Sequence, residues 1–185
     1  MSKWDAAWSE TGPDETADSA RWQTPPEVFG PLHREFGFGL DAAAMGDSAR
    51  VPFYLGPDHP NPSRRDAFEA DWRASRGPFG EAVWLNPPYG RGMGRWIVLA
   101  ARWGREVPVV AFILARTDLP WWHDVVMKTA AEVRFVRGRV KFLRANGDAA
   151  SGAPAPSLVL VWRPGESGAP GGPKVSTFTQ ARRRR

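Results

Sequence analysis

The sequence predicts an α/β fold, and three observations carry that expectation. Two short apolar runs, Val83-Trp84-Leu85 and Val107 to Ala115, end abruptly in polar residues, as buried parallel strands do. Between them, a stretch from about Arg95 to Gly104 places Trp96, Leu99 and Ala100 at helical spacing. A third apolar run, Leu158 to Trp162, follows an alternating segment over Glu132 to Phe142, which predicts an antiparallel strand pair at the C-terminal end.

In chain order, residues 1–20 carry Asp5, Glu10, Asp14, Glu15 and Asp18 against Lys3 alone, which predicts a disordered acidic tail. A folded domain is expected over 21–163. Thr24 suits a helix N-cap, Pro25 the first helical position, and Glu27 completes a capping-box spacing. That helix would run to about Phe36 with Val28, Phe29, Leu32 and Phe36 on one face. Its free N–H groups would favour a carboxylate. Phe38 and Leu40 read as a short strand ending at Asp41, and Ala42 to Ala44 would let backbone approach a ligand closely. Met45 to Arg65 lacks periodicity and reads as a long loop, the kind that is usually functional or mobile. Asp66-Ala67-Phe68 follows; Asp66 reads either as a site carboxylate or as a solvated one.

The Val83–Leu85 strand stops at Asn86-Pro87-Pro88-Tyr89, because proline gives a sheet ladder no N–H. Beyond it, Arg91, Arg95, Arg102 and Arg105 are either a phosphate-facing patch or a solvated face. The Val107–Ala115 strand ends in Arg116-Thr117-Asp118. Trp121-Trp122-His123 opens a helix to about Ala131, with His123 either packed or a proton acceptor. On the Glu132–Phe142 strand, Arg137, Arg139 and Lys141 would share one face as a basic row suited to nucleic-acid backbone. Phe142 is open to two readings, a core residue or one wall of a base pocket. From residue 164 to 185 the chain is Pro/Gly-rich, ends in four arginines, and is expected to be a disordered basic tail.

With 185 residues the chain fills one domain. It has no cysteine, which excludes disulfides and thiolate metal sites and fits a cytoplasmic setting; no metal is expected. No apolar run reaches the roughly 20 residues needed to cross a bilayer, so no membrane partner is expected. Lys plus Arg is 25 against 20 acidic residues. The arginine-heavy balance suits phosphate contacts, although a GC-rich genome would enrich arginine without any partner.

The Asn86 to Tyr89 cluster suits one task, the holding of a planar amino group. An amide oxygen accepts one N–H, the Pro87 carbonyl could accept the second, and the Tyr89 ring could stack on the attached heterocycle. Asn-Pro-Pro-Tyr resembles motif IV of the amino-methyltransferases that use S-adenosylmethionine. Thr24-Pro25-Pro26-Glu27 resembles their motif X, Phe38 to Ala44 a degenerate motif I without its glycine-rich loop, and Asp66-Ala67 their motif III. Together with Ala115-Arg116-Thr117-Asp118, Trp122-His123 and Gly138 to Phe142, the order of these segments is similar to the phage and prophage Dam-like DNA N6-adenine methyltransferase family.

That resemblance implies a trimmed, Rossmann-like S-adenosylmethionine-dependent methyltransferase sheet with a C-terminal antiparallel strand pair. It implies a catalytic set of Asn86, Pro87, Pro88 and Tyr89. It implies cofactor contacts from Thr24, Pro25, Asp41, Ala42 and Asp66, although no acid for the ribose hydroxyls stands out. Double-stranded DNA is the implied partner, gripped through Arg91, Arg116, Arg137, Arg139, Lys141 and Phe142, with the target adenine extruded. The motif also serves methyltransferases acting on RNA or on protein glutamine, and the basic residues alone would suit a non-catalytic DNA-binding protein.

Overall fold

Among the described residues, six strands form one sheet in the order β1-β2-β3-β5-β4-β6. They are β1 (Phe38–Asp41), β2 (Ala82–Leu85), β3 (Val109–Leu114), β4 (Glu132–Val136), β5 (Ser157–Trp162) and β6 (Lys174–Phe178). The computed structural model describes residues 22–90, 92–144, 147–149, 153, 155–166, 168 and 170–181. The expected acidic tail at 1–20 and the terminal run Arg182 to Arg185 lie outside the described residues.

β1, β2 and β3 run parallel, and β5 is antiparallel to both its neighbours, β3 and β4. The expected α/β class and the antiparallel β4–β5 pair are therefore present. Every residue of β1, β2 and β5 is buried, which explains why these segments read as unbroken apolar runs. Trp72, Trp84, Trp162, Phe112 and Phe142 are the largest fully buried side chains.

Helix α1 (Pro26–Phe36) precedes β1 and ends at Gly37, whose φ of 62° is the left-handed conformation that closes helices cheaply only at glycine. It buries Val28 and Leu32. The expected capping box does not form. Pro25, with ψ at 150°, is itself the N-cap, so Thr24 stands one residue too far out to cap. Between β1 and β2 lie a long loop and the one-turn helix α2 (Trp72–Ser75). That connection covers the free edge of β1: Asp41 N–H donates to the Phe53 carbonyl, and Gly77 N–H donates to the Gly39 carbonyl. Gly39 and Gly80 touch so closely that a Cβ on Gly39 would lie 2.3 Å from the Gly80 oxygen.

Helix α3 (Met93–Trp103) joins β2 to β3 and buries Trp96, Ile97, Leu99 and Ala100. After β3 come a π-helical turn, Trp122–Val126, and the short α4 (Met127–Thr129). Two expectations are corrected. β4 ends at Val136 rather than near Phe142, because Gly138 takes φ 81° and turns the chain. Arg137, Arg139 and Lys141 therefore lie exposed on a loop and not as a row on a strand, while Val140 and Phe142 fold inward. The segment 164–185 is not a free tail throughout: Lys174–Phe178 forms β6, parallel to β4, with Val136 opposite Phe178.

Candidate active site

The C-terminal ends of β1 and β2 open on a cavity of about 540 Å³, a volume typical of small-molecule sites. Trp22, Thr24, Asp41, Asp66, Trp84, Asn86 and Pro88 are among its lining residues. Sheet register explains the pairing of the first two strand contributions. Asp41 lies directly opposite Trp84, so their side chains share one face.

Asn86 follows β2 immediately and is tied at both ends of its amide. Its Nδ2 donates to the Trp22 carbonyl at 3.0 Å, and its Oδ1 accepts from the Tyr89 hydroxyl at 2.9 Å. The Tyr89 ring does not reach the cavity as the stacking role expected. It is only 6% exposed and packs edge-on against Trp22 and Phe142. Burial pushes its phenol well above the ordinary range, so the hydroxyl stays protonated and able to donate. Phe142 takes the core reading: it is fully buried and stacks on Trp22 at 5.2 Å.

Asp41 is buried to 3% exposure, yet no side-chain cation among the described residues hydrogen-bonds it. Its Oδ2 accepts from the Arg50 N–H at 3.0 Å and its Oδ1 from the Ala43 N–H at 3.4 Å. Burial outweighs those bonds and the nearby Arg50 charge, and raises its pKa to about 6. The Arg50 guanidinium sits over the Phe29 ring instead.

Three residues of the lining carry a buried polar atom without a partner among the described residues: the Trp22 and Trp84 indole nitrogens and the Thr24 hydroxyl. Two other buried indoles are satisfied: Trp72 donates to the Ala67 carbonyl and Trp162 to the Thr129 hydroxyl. An orphaned buried donor costs about 1–3 kcal/mol. With less than 1 Å² exposed, none of the three meets an occupant of the cavity unless its side chain moves. The Asp41 carboxylate in the lining suits the ammonium that S-adenosylmethionine carries.

The expected residues divide. Thr24, Asp41, Asp66, Asn86 and Pro88 line the cavity; Asp66 sits at the surface with its Oδ1 accepting from the Phe68 N–H. Pro25, Ala42, Pro87 and Tyr89 are buried behind the wall. Arg116, Arg137, Arg139 and Lys141 are exposed away from the lining, Arg116 beside Asp118 at 3.6 Å. Arg91 lies outside the described residues. His123 is exposed and does not line the cavity. The sequence reading missed Trp84, Arg50 and Asp47, which are also on the wall. Asp47 lay in the loop after β1, a position that could have suggested the missing ribose acid.

A family model described as DNA N-6-adenine-methyltransferase (Dam) matches residues 10–183. The chain belongs to this family. No curated protein matches it. This Dam-family chain is thus an enzyme of the DNA N6-adenine methyltransferase type, and the reading as a non-catalytic DNA-binding protein falls away. Among the described residues of the enzyme, no helix is long and apolar enough to cross a membrane.

Proposed function

We propose that the enzyme methylates adenine N6 at particular sites in double-stranded DNA, with S-adenosylmethionine as the methyl donor. The observation that carries this reading is a single cavity. Its lining brings together the buried carboxylate of Asp41 and Asn86, the first residue of the Asn-Pro-Pro-Tyr segment. The sheet supports a trimmed Rossmann-like methyltransferase architecture, with three parallel strands beside an inserted antiparallel one.

Asp41 would hold the cofactor ammonium, and Asp47 and Asp66 are the acids available to its hydroxyls. When bound, that cofactor supplies an electrophilic methyl on a sulfonium. The chain does the placing. Adenine N6 is unreachable inside the stack, so the base must be extruded. Asn86 Oδ1 accepts one N6–H. That bond strengthens as positive charge develops on the nitrogen, which is where catalysis gains. Pro87 and Pro88 keep that loop rigid. The exposed Arg116, Arg137, Arg139 and Lys141 are free of the cavity and suit phosphate contacts.

The test is Asn86→Ala with tritiated cofactor and duplex DNA. Transfer should fall by roughly 100-fold or more, while the variant still binds DNA and S-adenosylhomocysteine. Full activity in Asn86→Ala, or label passing to RNA or protein and not to DNA, would overturn the reading.

A further inference from the structure

Resting on the catalytic reading of Asn86, we propose that Tyr89 acts through its hydroxyl as a positioning residue. With the Trp22 carbonyl it sets which end of the Asn86 amide is offered to the substrate.

An asparagine amide has two ends of similar shape and opposite chemistry. Only the oxygen end can receive an amine N–H, so a turned-over amide would present donor to donor. Here the Trp22 carbonyl is a pure acceptor 3.0 Å from Nδ2. Turning the amide over would bring two oxygens face to face at that distance. The other end is fixed by the Tyr89 hydroxyl at 2.9 Å from Oδ1. The hydroxyl's alternative acceptor, the Phe112 carbonyl, is farther at 3.4 Å. Oδ1 has two lone-pair sites, and Tyr89 occupies one. The other remains for the incoming amine. Donation from Nδ2 to Trp22 also polarises the amide and makes that oxygen a better acceptor.

The fixing group is itself fixed. Tyr89 is buried, with its ring against Trp22 at 6.4 Å and Phe142 at 5.6 Å. Trp22 in turn stacks on Phe142. The ring lies outside the cavity lining, and its hydroxyl reaches the Asn86 amide.

The experiment is Tyr89→Phe, which keeps the ring contacts and removes only the oxygen. Steady-state kinetics on duplex DNA are read beside a melting curve and the side-chain amide NMR signals of Asn86, identified by their loss in Asn86→Ala. The expected result is a kcat lowered roughly 10- to 100-fold. KM for DNA and for cofactor should stay within about twofold, melting should be little changed, and the Asn86 amide signals should shift or broaden. A wild-type kcat with unmoved Asn86 signals would overturn the proposal, as would an effect confined to KM for DNA, which would put the lost hydroxyl in substrate binding and not in amide placement. If Asn86→Ala is itself fully active, the catalytic reading fails first. If Asn86→Ala is inactive and Tyr89→Phe is wild-type, only the positioning role fails.

Discussion

Replacing Asp41 by Asn should make the protein more stable and worse at holding its cofactor. The carboxyl is fully enclosed, and burial raises its pKa from 3.8 to about 6. Keeping it ionised in the folded chain at neutral pH therefore costs about 3 kcal/mol relative to the unfolded chain. An asparagine escapes that cost but loses an acceptor. Its oxygen would keep the Arg50 N–H at 3.0 Å, leaving its NH₂ to face the Ala43 N–H at 3.4 Å. That mismatch costs about 1–2 kcal/mol. The net gain is about 1–2 kcal/mol, a rise in Tm of about 5 °C for a chain of this size. The sign follows from the raised pKa. The penalty is absent below pH 3.8, grows as pH rises, and is complete above about 6. The advantage of Asp41→Asn should accordingly vanish as pH falls from 6 toward 4. Binding should move the other way. Removing one member of a buried charge pair costs at least about 2 kcal/mol, so affinity for S-adenosylhomocysteine should drop about 30-fold or more. In the wild type the same affinity should weaken about tenfold between pH 7 and pH 5, as the carboxyl takes up a proton. Melting curves across pH and titration calorimetry measure both. A lower Tm at pH 7, or unchanged affinity, would refute the reasoning.

Two more perturbations test the frame around the site. Phe142→Ala should destabilise the fold by about 3–5 kcal/mol in chemical denaturation, because it empties a fully buried site against Trp22, Tyr89 and Phe112. A loss below about 1 kcal/mol would mean Phe142 is not core. Ending the chain at Pro173 should lower Tm by several degrees, since it removes β6, the burial of Phe178 and the bond from Ala181 N–H to the Glu27 carbonyl. An unchanged Tm would restore the free-tail reading of that segment.

What the sequence disclosed, and what it concealed, follow from the range of the forces involved. β2 and its Asn86-Pro87-Pro88-Tyr89 ending were legible because an apolar run and two prolines act locally. β3 and β5 were legible because strands covered on both faces must be apolar throughout. β6 was hidden: Lys174-Val175-Ser176-Thr177-Phe178 is mostly exposed and polar, and only its distant partner β4 makes it a strand. Thr24 has the composition of a cap, but the backbone of Pro25 moved the cap by one residue. Within the site, the carboxylate and the amide were found from their place at strand ends. The role of Tyr89 was not, since a ring's freedom depends on what encloses it, and Trp22 and Phe142 come from far-apart stretches. Trp84 looked like ordinary strand filler; its place in the cavity lining shows only in the fold.

Trp22 has one further consequence. The residue that anchors Asn86 is followed by Gln23, which exchanges two backbone hydrogen bonds with Leu143. An early, a middle and a late stretch of polypeptide must therefore meet before the amide is held. While the chain is still emerging from the ribosome, residue 86 exists but its latch does not. The newborn enzyme stays disarmed until its last third has been made and zipped onto its first.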